Sequence, residues 1–195
     1  MPLRPHVVVL AGPNGAGKST AAPRLLRGRL GVSEFVNADT VARGLSAFAP
    51  EEVAVTAGRH VLRRLEELAA LRRDFAFETT LATRTLAPRL ERWRRAGYAV
   101  HVVFLWLPTA DLAVARVQAR VRAGGHDVPE ETVRRRYRRG IQNLFGQHQG
   151  IATSWRLYDN AGPRPRLIAH GTADGAATVR DRVAWERVRE TACGG

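Results

Sequence analysis

The chain predicts an α/β fold, a parallel sheet with helices packed on both faces. Three observations carry this. Apolar runs of strand length alternate with segments of helical periodicity along 195 residues. The first apolar run, Val7 to Leu10, leads straight into a glycine-punctuated loop that opens a helix. No repeat or disordered linker breaks the alternation, so residues 1–195 read as one domain, long enough to bury a real core.

The loop reads Gly12-Pro13-Asn14-Gly15-Ala16-Gly17-Lys18-Ser19-Thr20 and matches the phosphate-binding P-loop in full. Its glycines let backbone N–H groups curl around a phosphate where a Cβ would block them. The helix that follows points its positive end at the same anion. Lys18 is expected to reach the β- and γ-phosphates of a nucleotide, and the Ser19 hydroxyl to ligate Mg²⁺. Lys18 is also the only lysine; the other 30 of the 31 basic residues are arginine. A phosphate wrapped in amides has room for a compact ammonium on a thin stem but not for a planar guanidinium. The solitary lysine therefore reads as a chemical requirement.

The remaining elements follow in order. Residues 21–30 continue the P-loop helix, with a kink or shortening expected at Pro23. Residues 34–37 form a second short strand, with Asp39 just beyond it. Residues 42–49 are a loop or short helix. Pro50, followed by Glu51 and Glu52, suits the start of a helix running to about Arg73, with Val53, Ala57, Val61, Leu65 and Leu68 on one face. Residues 75–77 make a third strand that ends in Glu78-Thr79-Thr80. Residues 85–96 form a helix stopped by Gly97. Residues 98–107 are the clearest buried strand; Pro108 ends it, and Thr109 or Asp111 caps the next helix. From 112 to 145 two arginine-rich helices flank Gly124-Gly125-His126-Asp127-Val128-Pro129. Strands are expected at 155–160 and 166–170, and a last amphipathic helix at 178–189.

In such sheets ligands gather at the carboxyl ends of the strands. The P-loop, Asp39 and Glu78 all lie just past strand ends and should share one cleft. Asp39 is placed to accept the proton of a hydroxyl attacking a γ-phosphate, and Glu78 to hold substrate hydroxyls or orient a Mg²⁺-bound water. Arg116 and Arg120, four apart, share a helix face. With Arg134, Arg135 and Arg136 across the glycine pair, they make residues 112–145 a candidate lid that brings cations to the γ-phosphate and excludes water.

Composition narrows the setting. Apolar residues are 45% and charged residues 25% of the chain, as in ordinary globular proteins. The start, Met1-Pro2-Leu3-Arg4-Pro5-His6, leads into the first strand with no signal-peptide pattern, and no apolar run is long enough for a membrane helix. The one cysteine, Cys193, falls in an expected frayed tail and rules out an internal disulfide. These features suit a reducing cytoplasm. The formal net charge of +13 permits non-specific binding to polyanions, but no zinc-finger, RRM or KH pattern is present.

The order of motifs resembles the zeta toxin family of P-loop kinases. It comprises the P-loop, then Asn37-Ala38-Asp39, then Glu78-Thr79-Thr80-Leu81, and an Arg-x-x-x-Ala-Gly-Tyr ending at Tyr98. Arg116-Val117-x-x-Arg120-Val121-x-x-Gly124-Gly125-His126-x-Val128-Pro129 and Leu157-Tyr158-Asp159-Asn160 complete it. The resemblance runs from about His6 to Ala169. It implies an adenylate-kinase-like fold and ATP-dependent phosphorylation of the 3′-hydroxyl of UDP-N-acetylglucosamine. It also implies that residues 12–20 bind ATP–Mg²⁺, that Asp39 is the base, and that Asp39, Glu78 and Thr80 face the acceptor. Arg116 or Arg120 would touch phosphate, and an antitoxin would be a separate protein. The larger toxins carry a further lid arginine; here the stretch from Gly124 to Pro129 has none, which leaves Arg134, Arg135 and Arg136 as alternatives. Two other readings stand beside this one: a kinase for another hydroxyl (an antibiotic, a sugar or a nucleic-acid end), and a non-catalytic nucleotide-binding module.

Overall fold

The computed structural model describes residues 4–46 and 52–194. The elements are β1 (His6–Ala11), α1 (Lys18–Ala22), β2 (Glu34–Val36), α2 (Ala38–Leu45), α3 (Ala54–Ala70), β3 (Phe75–Thr79), α4 (Ala87–Arg95), β4 (Ala99–Trp106), α5 (Ala110–Arg122), α6 (Glu130–Asn143), α7 (Gln149–Ile151), β5 (Ser154–Asp159), β6 (Arg166–Gly171), β7 (Thr178–Val179) and α8 (Arg182–Cys193). The strands form one sheet in the order β2-β3-β1-β4-β5-β6-β7. From β2 to β5 every pairing is parallel, as the strand–helix alternation predicts. The sheet then gains two antiparallel strands, β6 and β7. Helices lie on both faces of this mostly parallel sheet, the P-loop kinase-like arrangement.

Burial explains the centre. Val7 to Ala11 of β1 are buried, as are Val100 and Val102 to Trp106 of β4. Strands covered on both faces read as near-continuous apolar runs rather than alternating ones. Phe75 of β3 packs edge-on against Trp93 of α4, with ring centroids 5.3 Å apart. On α3, Ala57, Val61, Leu65 and Leu68 form the buried stripe that the helical spacing predicts.

Several boundaries differ from the sequence reading, each for a local reason. Pro23 lacks an N–H, and from there to Leu30 the P-loop helix continues with π-type hydrogen bonding rather than stopping. Asn37 does not extend β2; its side chain caps α2 by accepting from the amides of Asp39 and Thr40. The proposed helix start at Pro50 and Glu51 lies outside the described residues, and α3 is described from Ala54. Thr178 and Val179 pair with β6, and the last helix begins at Arg182 because Asp181 caps it by accepting from the Ala184 amide. Cys193 closes that helix rather than sitting in a frayed tail. Thr109, not Asp111, caps α5.

Candidate active site

The P-loop turns tightly out of β1. Gly12 has φ 144°, and a Cβ on it would stand 2.3 Å from the Leu105 carbonyl oxygen. Only glycine lets β4 and the loop approach this closely. Gly17, immediately before α1, is left-handed at φ 75°, and no side chain caps the helix that follows. Its first amides stay available to the loop's interior.

Lys18 is buried, with 6% of its side chain exposed. Its Nζ donates to the carbonyl oxygens of Gly12 and Pro13, both at 2.9 Å, and lies 3.6 Å from Glu78 Oε1. Burial lowers the Lys18 pKa, while the negative charges of Glu78 and Asp39 oppose that shift. The other oxygen of Glu78 accepts from Ser19 Oγ at 2.8 Å and from Asn37 Nδ2 at 2.8 Å. The ends of β2 and β3 and the P-loop helix therefore meet at one carboxylate. Sequence reasoning places Glu78 beyond its strand, either on substrate hydroxyls or beside a Mg²⁺-bound water; β3 in fact runs to Thr79, so Glu78 pairs in register with Leu10, and its carboxylate lies against Lys18 and Ser19, the side the second alternative needs.

Asp39 sits in the first turn of α2, exposed. Among the described residues no hydrogen bond engages its carboxylate, yet its charge is felt by both Lys18 and Arg136. It is an unengaged acceptor within electrostatic reach of both cations. Thr80 follows β3, and its carbonyl oxygen faces Gly140 of α6 at a distance that would be 2.5 Å from a Cβ there. Leu81, 1% exposed, is left-handed at φ 58°. Such a conformation in a branched residue costs of order 1–3 kcal/mol and persists only where its surroundings hold it. They do: Thr79 Oγ1 accepts from the Leu81 amide at 3.0 Å, and Asn143 Nδ2 donates to its carbonyl at 2.7 Å.

The lid arginines divide by partner. Arg116 donates through both Nη atoms to the carbonyls of Asn160 and Ala161, at 2.9 and 2.6 Å, and so braces the loop after β5. Arg120 donates to the His126 carbonyl at 2.7 Å across the glycine pair, and its charge reaches Lys18. Arg134 is spent on Asp111 and Glu130, at 2.6 and 2.8 Å, and Arg135 leans on Thr132. Arg136 is the one that turns back: its Nη1 lies 3.3 Å from Asn14 Oδ1 in the P-loop. Half-buried, it has its pKa lowered by desolvation and by Arg135, with Asp39 opposing.

Two clefts flank this cluster. One, of about 910 Å³, opens beside the P-loop between Thr20, Arg24, Arg116, Tyr158, Asn160 and Arg164. The other, of about 390 Å³, opens on the far side of Glu78, with Thr79, Phe77, Val55, Leu62 and Arg59 in its wall. Sequence reasoning missed Asn37 as a bridge to Glu78. It also missed Asn160, whose Nδ2 donates to the Ala16 carbonyl at 2.6 Å and ties β5 to the P-loop. Both stood in the motifs just past strand ends, Asn160 beside Asp159 and Asn37 two residues before Asp39, which is the signal that marks them.

A family model described as AAA domain matches residues 7–142. The chain belongs to the AAA domain family. A Haemophilus influenzae protein described only as uncharacterized is 27% identical to this AAA domain over 132 residues, covering 67% of this chain and 91% of its own. Among solved structures, a chain of the AvrRxo1-ORF1:-ORF2 complex with ATP superposes with a TM-score of 0.76 at 15% identity, over 96% of this chain and 64% of that one. The PezAT toxin–antitoxin system of Streptococcus pneumoniae gives 0.66 at 14%, over 96% and 87%. Shikimate kinase of Acinetobacter baumannii gives 0.50 at 18%, over 95% and 91%. At these identities the structures show that the AAA domain shares the P-loop kinase-like fold. It spans less than two thirds of the AvrRxo1 chain.

Proposed function

We propose that this chain is a kinase that transfers the γ-phosphate of ATP to a hydroxyl, with residues 1–195 acting as one catalytic domain in the cytoplasm. The observation that supports the reading is the cluster of a buried Lys18, the Ser19–Glu78–Asn37 network and an exposed, unengaged Asp39 whose charge acts on Lys18. A nucleotide switch has no use for the last of these; a phosphotransferase does.

In this mechanism the P-loop amides and Lys18 hold the β- and γ-phosphates, with the base and ribose in the cleft beside Arg116. The acceptor hydroxyl lies between Asp39 and the γ-phosphorus. Its oxygen forms the new P–O bond as the bond to the β-phosphate oxygen breaks, its proton passes to Asp39, and ADP leaves. Arg136 and Arg120 supply positive charge to balance the negative charge on the transferring group. Ser19 and Glu78 offer the hydroxyl and carboxylate oxygens that a hard divalent cation prefers. No group of three acidic, histidine or cysteine side chains suited to a metal occurs among the described residues, so Mg²⁺ would take its other ligands from phosphates and water. Bound there, Mg²⁺ would neutralise phosphate charge.

The resemblance to zeta toxins makes UDP-N-acetylglucosamine the first acceptor to test. The toxin–antitoxin origin of one structural neighbour and the two-protein complex of another make a separate inhibitory partner part of the same reading. Purified protein is incubated with ATP, Mg²⁺ and a panel holding UDP-N-acetylglucosamine, aminoglycosides, free sugars and 5′-hydroxyl oligonucleotides, with products weighed by mass spectrometry. A gain of one phosphate on one member supports the kinase. ATP binding with no transfer to any of them, and no hydrolysis, favours the non-catalytic module.

A further inference from the structure

The cleft on the far side of Glu78, of about 390 Å³, has a largely apolar wall. Phe77 comes from β3, Leu86 from the turn before α4, and Val55, Val61, Leu62 and Leu65 from α3. Phe77, Val61, Leu65 and Leu86 are buried in the core. Val55 and Leu62 are not: 71% and 39% exposed, they present apolar surface to the cleft and to water. They stand seven residues apart, two turns along one face of α3, with Gly58 and Arg59 on the same face between them. Apolar surface left open beside polar groups marks a binding site.

The polar side chains of the same wall are engaged with their neighbours. Glu78 is held by Ser19, Asn37 and Lys18. Thr79 Oγ1 accepts from the Leu81 amide, Thr85 Oγ1 donates to Thr83 Oγ1 at 3.2 Å, and Arg89 pairs with Glu66. Of the polar side chains in the wall, Arg59 alone has no partner among the described residues, and it is exposed. A ligand rich in hydroxyls would give up water here and find few partners in exchange. An apolar body has no such loss and covers Val55 and Leu62.

Gly58 is an independent observation. Glycine inside a helix is less stable than alanine. Gly140 of α6 has a packing reason, since a Cβ there would meet the Thr80 carbonyl oxygen at 2.5 Å. A Cβ on Gly58 would meet no described atom within 4 Å. Gly44, Gly146 and Gly150 are open in the same way, but they form no part of this cleft. Packing among the described residues gives no reason for Gly58; the space that it leaves between Val55 and Leu62 gives one.

We propose that this space holds the body of the acceptor, and that the acceptor is an alcohol on an apolar, ring-sized skeleton. The ring lies against Val55, Gly58, Leu62 and Phe77. Glu78, shared between this wall and the Lys18–Ser19 cluster, marks the end at which the hydroxyl lies. Its oxygen takes the γ-phosphoryl group of ATP, its proton passes to Asp39 and ADP leaves, as in the kinase reading on which this proposal rests. Among hydroxyl acceptors the cleft thus favours an apolar alcohol over a free sugar.

The test reads binding apart from transfer. The protein is saturated with a non-hydrolysable ATP analogue and Mg²⁺ and titrated with benzyl alcohol, and separately with N-acetylglucosamine, while backbone amide NMR signals are followed. Benzyl alcohol should give saturable shifts at Val55, Gly58, Leu62 and Phe77; N-acetylglucosamine should give none there. Gly58→Leu fills the space and should weaken benzyl alcohol binding about tenfold, and Val55→Asn, at an exposed position, about threefold. Both variants should bind the nucleotide analogue as the wild type does. Gly58→Ala should raise the thermal unfolding midpoint; a fall would mean that the glycine serves the fold, and would overturn the proposal. No shifts at these amides, equal affinity in Gly58→Leu, or N-acetylglucosamine in place of benzyl alcohol overturns it too. These outcomes stand whether or not any alcohol is phosphorylated, so failure of the kinase reading is seen separately, in the transfer assay. With an active acceptor in hand, Gly58→Leu should raise its KM about tenfold with the KM for ATP unchanged, and benzyl alcohol should compete with it. An acceptor that Gly58→Leu turns over as well as the wild type does, a nucleotide sugar included, overturns the proposal, as does benzyl alcohol binding that leaves the KM of the acceptor unchanged.

Discussion

Ser19 Oγ donates a hydrogen bond to Glu78 Oε2 across 2.8 Å, joining the first residue pair of the P-loop helix to the end of the neighbouring strand. The same carboxylate holds Asn37 and stands 3.6 Å from Lys18. Glu78 is therefore the hub of the phosphate side of the site. Glu78→Gln keeps the shape and removes the charge that opposes the lowering of the Lys18 pKa. Affinity for ATP–Mg²⁺ should fall about tenfold or more, and the loss should grow as pH rises because Lys18 then loses its proton earlier. Calorimetry at pH 7 and pH 9 checks both parts; equal affinity to wild type at both would remove Glu78 from the hub.

Lys18→Arg should abolish turnover. The ammonium sits between two backbone carbonyls at 2.9 Å in a buried slot, and a planar guanidinium cannot occupy it without opening the loop. Circular dichroism should show a retained fold. Turnover near the wild-type rate would mean that the only lysine is there by accident.

Asp39→Asn should leave nucleotide binding intact and slow transfer by roughly 10²–10⁴-fold, the usual contribution of a general base. The measurement pairs calorimetry with mass spectrometry of the product. If both functions survive, the base lies elsewhere; if both fail, Asp39 serves the fold or the metal.

Arg136 and Arg134 provide a matched comparison on one helix. Arg136→Gln removes the guanidinium that reaches Asn14 and should reduce kcat by roughly 10³-fold, the lower end of what an arginine finger contributes. Arg134→Gln breaks surface pairs with Asp111 and Glu130 and should change turnover less than twofold. Equal effects would show that the helix, not the particular side chain, matters. Hydrogen exchange across residues 116–139 should slow when an ATP analogue and Mg²⁺ bind.

His148 predicts an acid-sensitive fold. It is fully buried, neither ring nitrogen has a hydrogen-bond partner, and burial pushes its pKa down to about 4. The unfolded chain, with histidine near 6.5, binds the proton first. Stability is therefore complete above pH 6.5 and declines as pH falls toward 4, by ~3 kcal/mol for this residue. His101, pushed down to about 4 mainly by burial and then by His6, adds to the same window. Urea unfolding between pH 7 and pH 4 should show the slope, and His148→Leu should flatten it in part without loss at pH 7.

The sequence made legible what is local. The P-loop is a contiguous motif, and the apolar runs of β1, β3 and β4 follow from burial on both faces, so the fold and the place of the P-loop in it could be read directly. What escaped depends on contacts between distant segments. Arg136 differs from Arg134 and Arg135 only in helix phase, and phase becomes meaningful once α6 has a neighbour. Asn37 reads as a strand end until Glu78 is beside it. The strand at Thr178 and Val179 is two residues long and exists because β6 offers an edge. The turn at Leu81 carries no glycine to announce its left-handed backbone; Thr79, Gly140 and Asn143 impose it from outside.

That turn has a mechanical consequence. Arg136 and Asn143 are two helical turns apart on α6, about 10 Å along its axis and on the same side. One end of the rod is pinned to the turn that follows the strand carrying Glu78, while the other rests on the P-loop through Asn14. The helix is a strut that fixes the span between the Leu81 turn and the P-loop, and Arg136 takes its position from both ends.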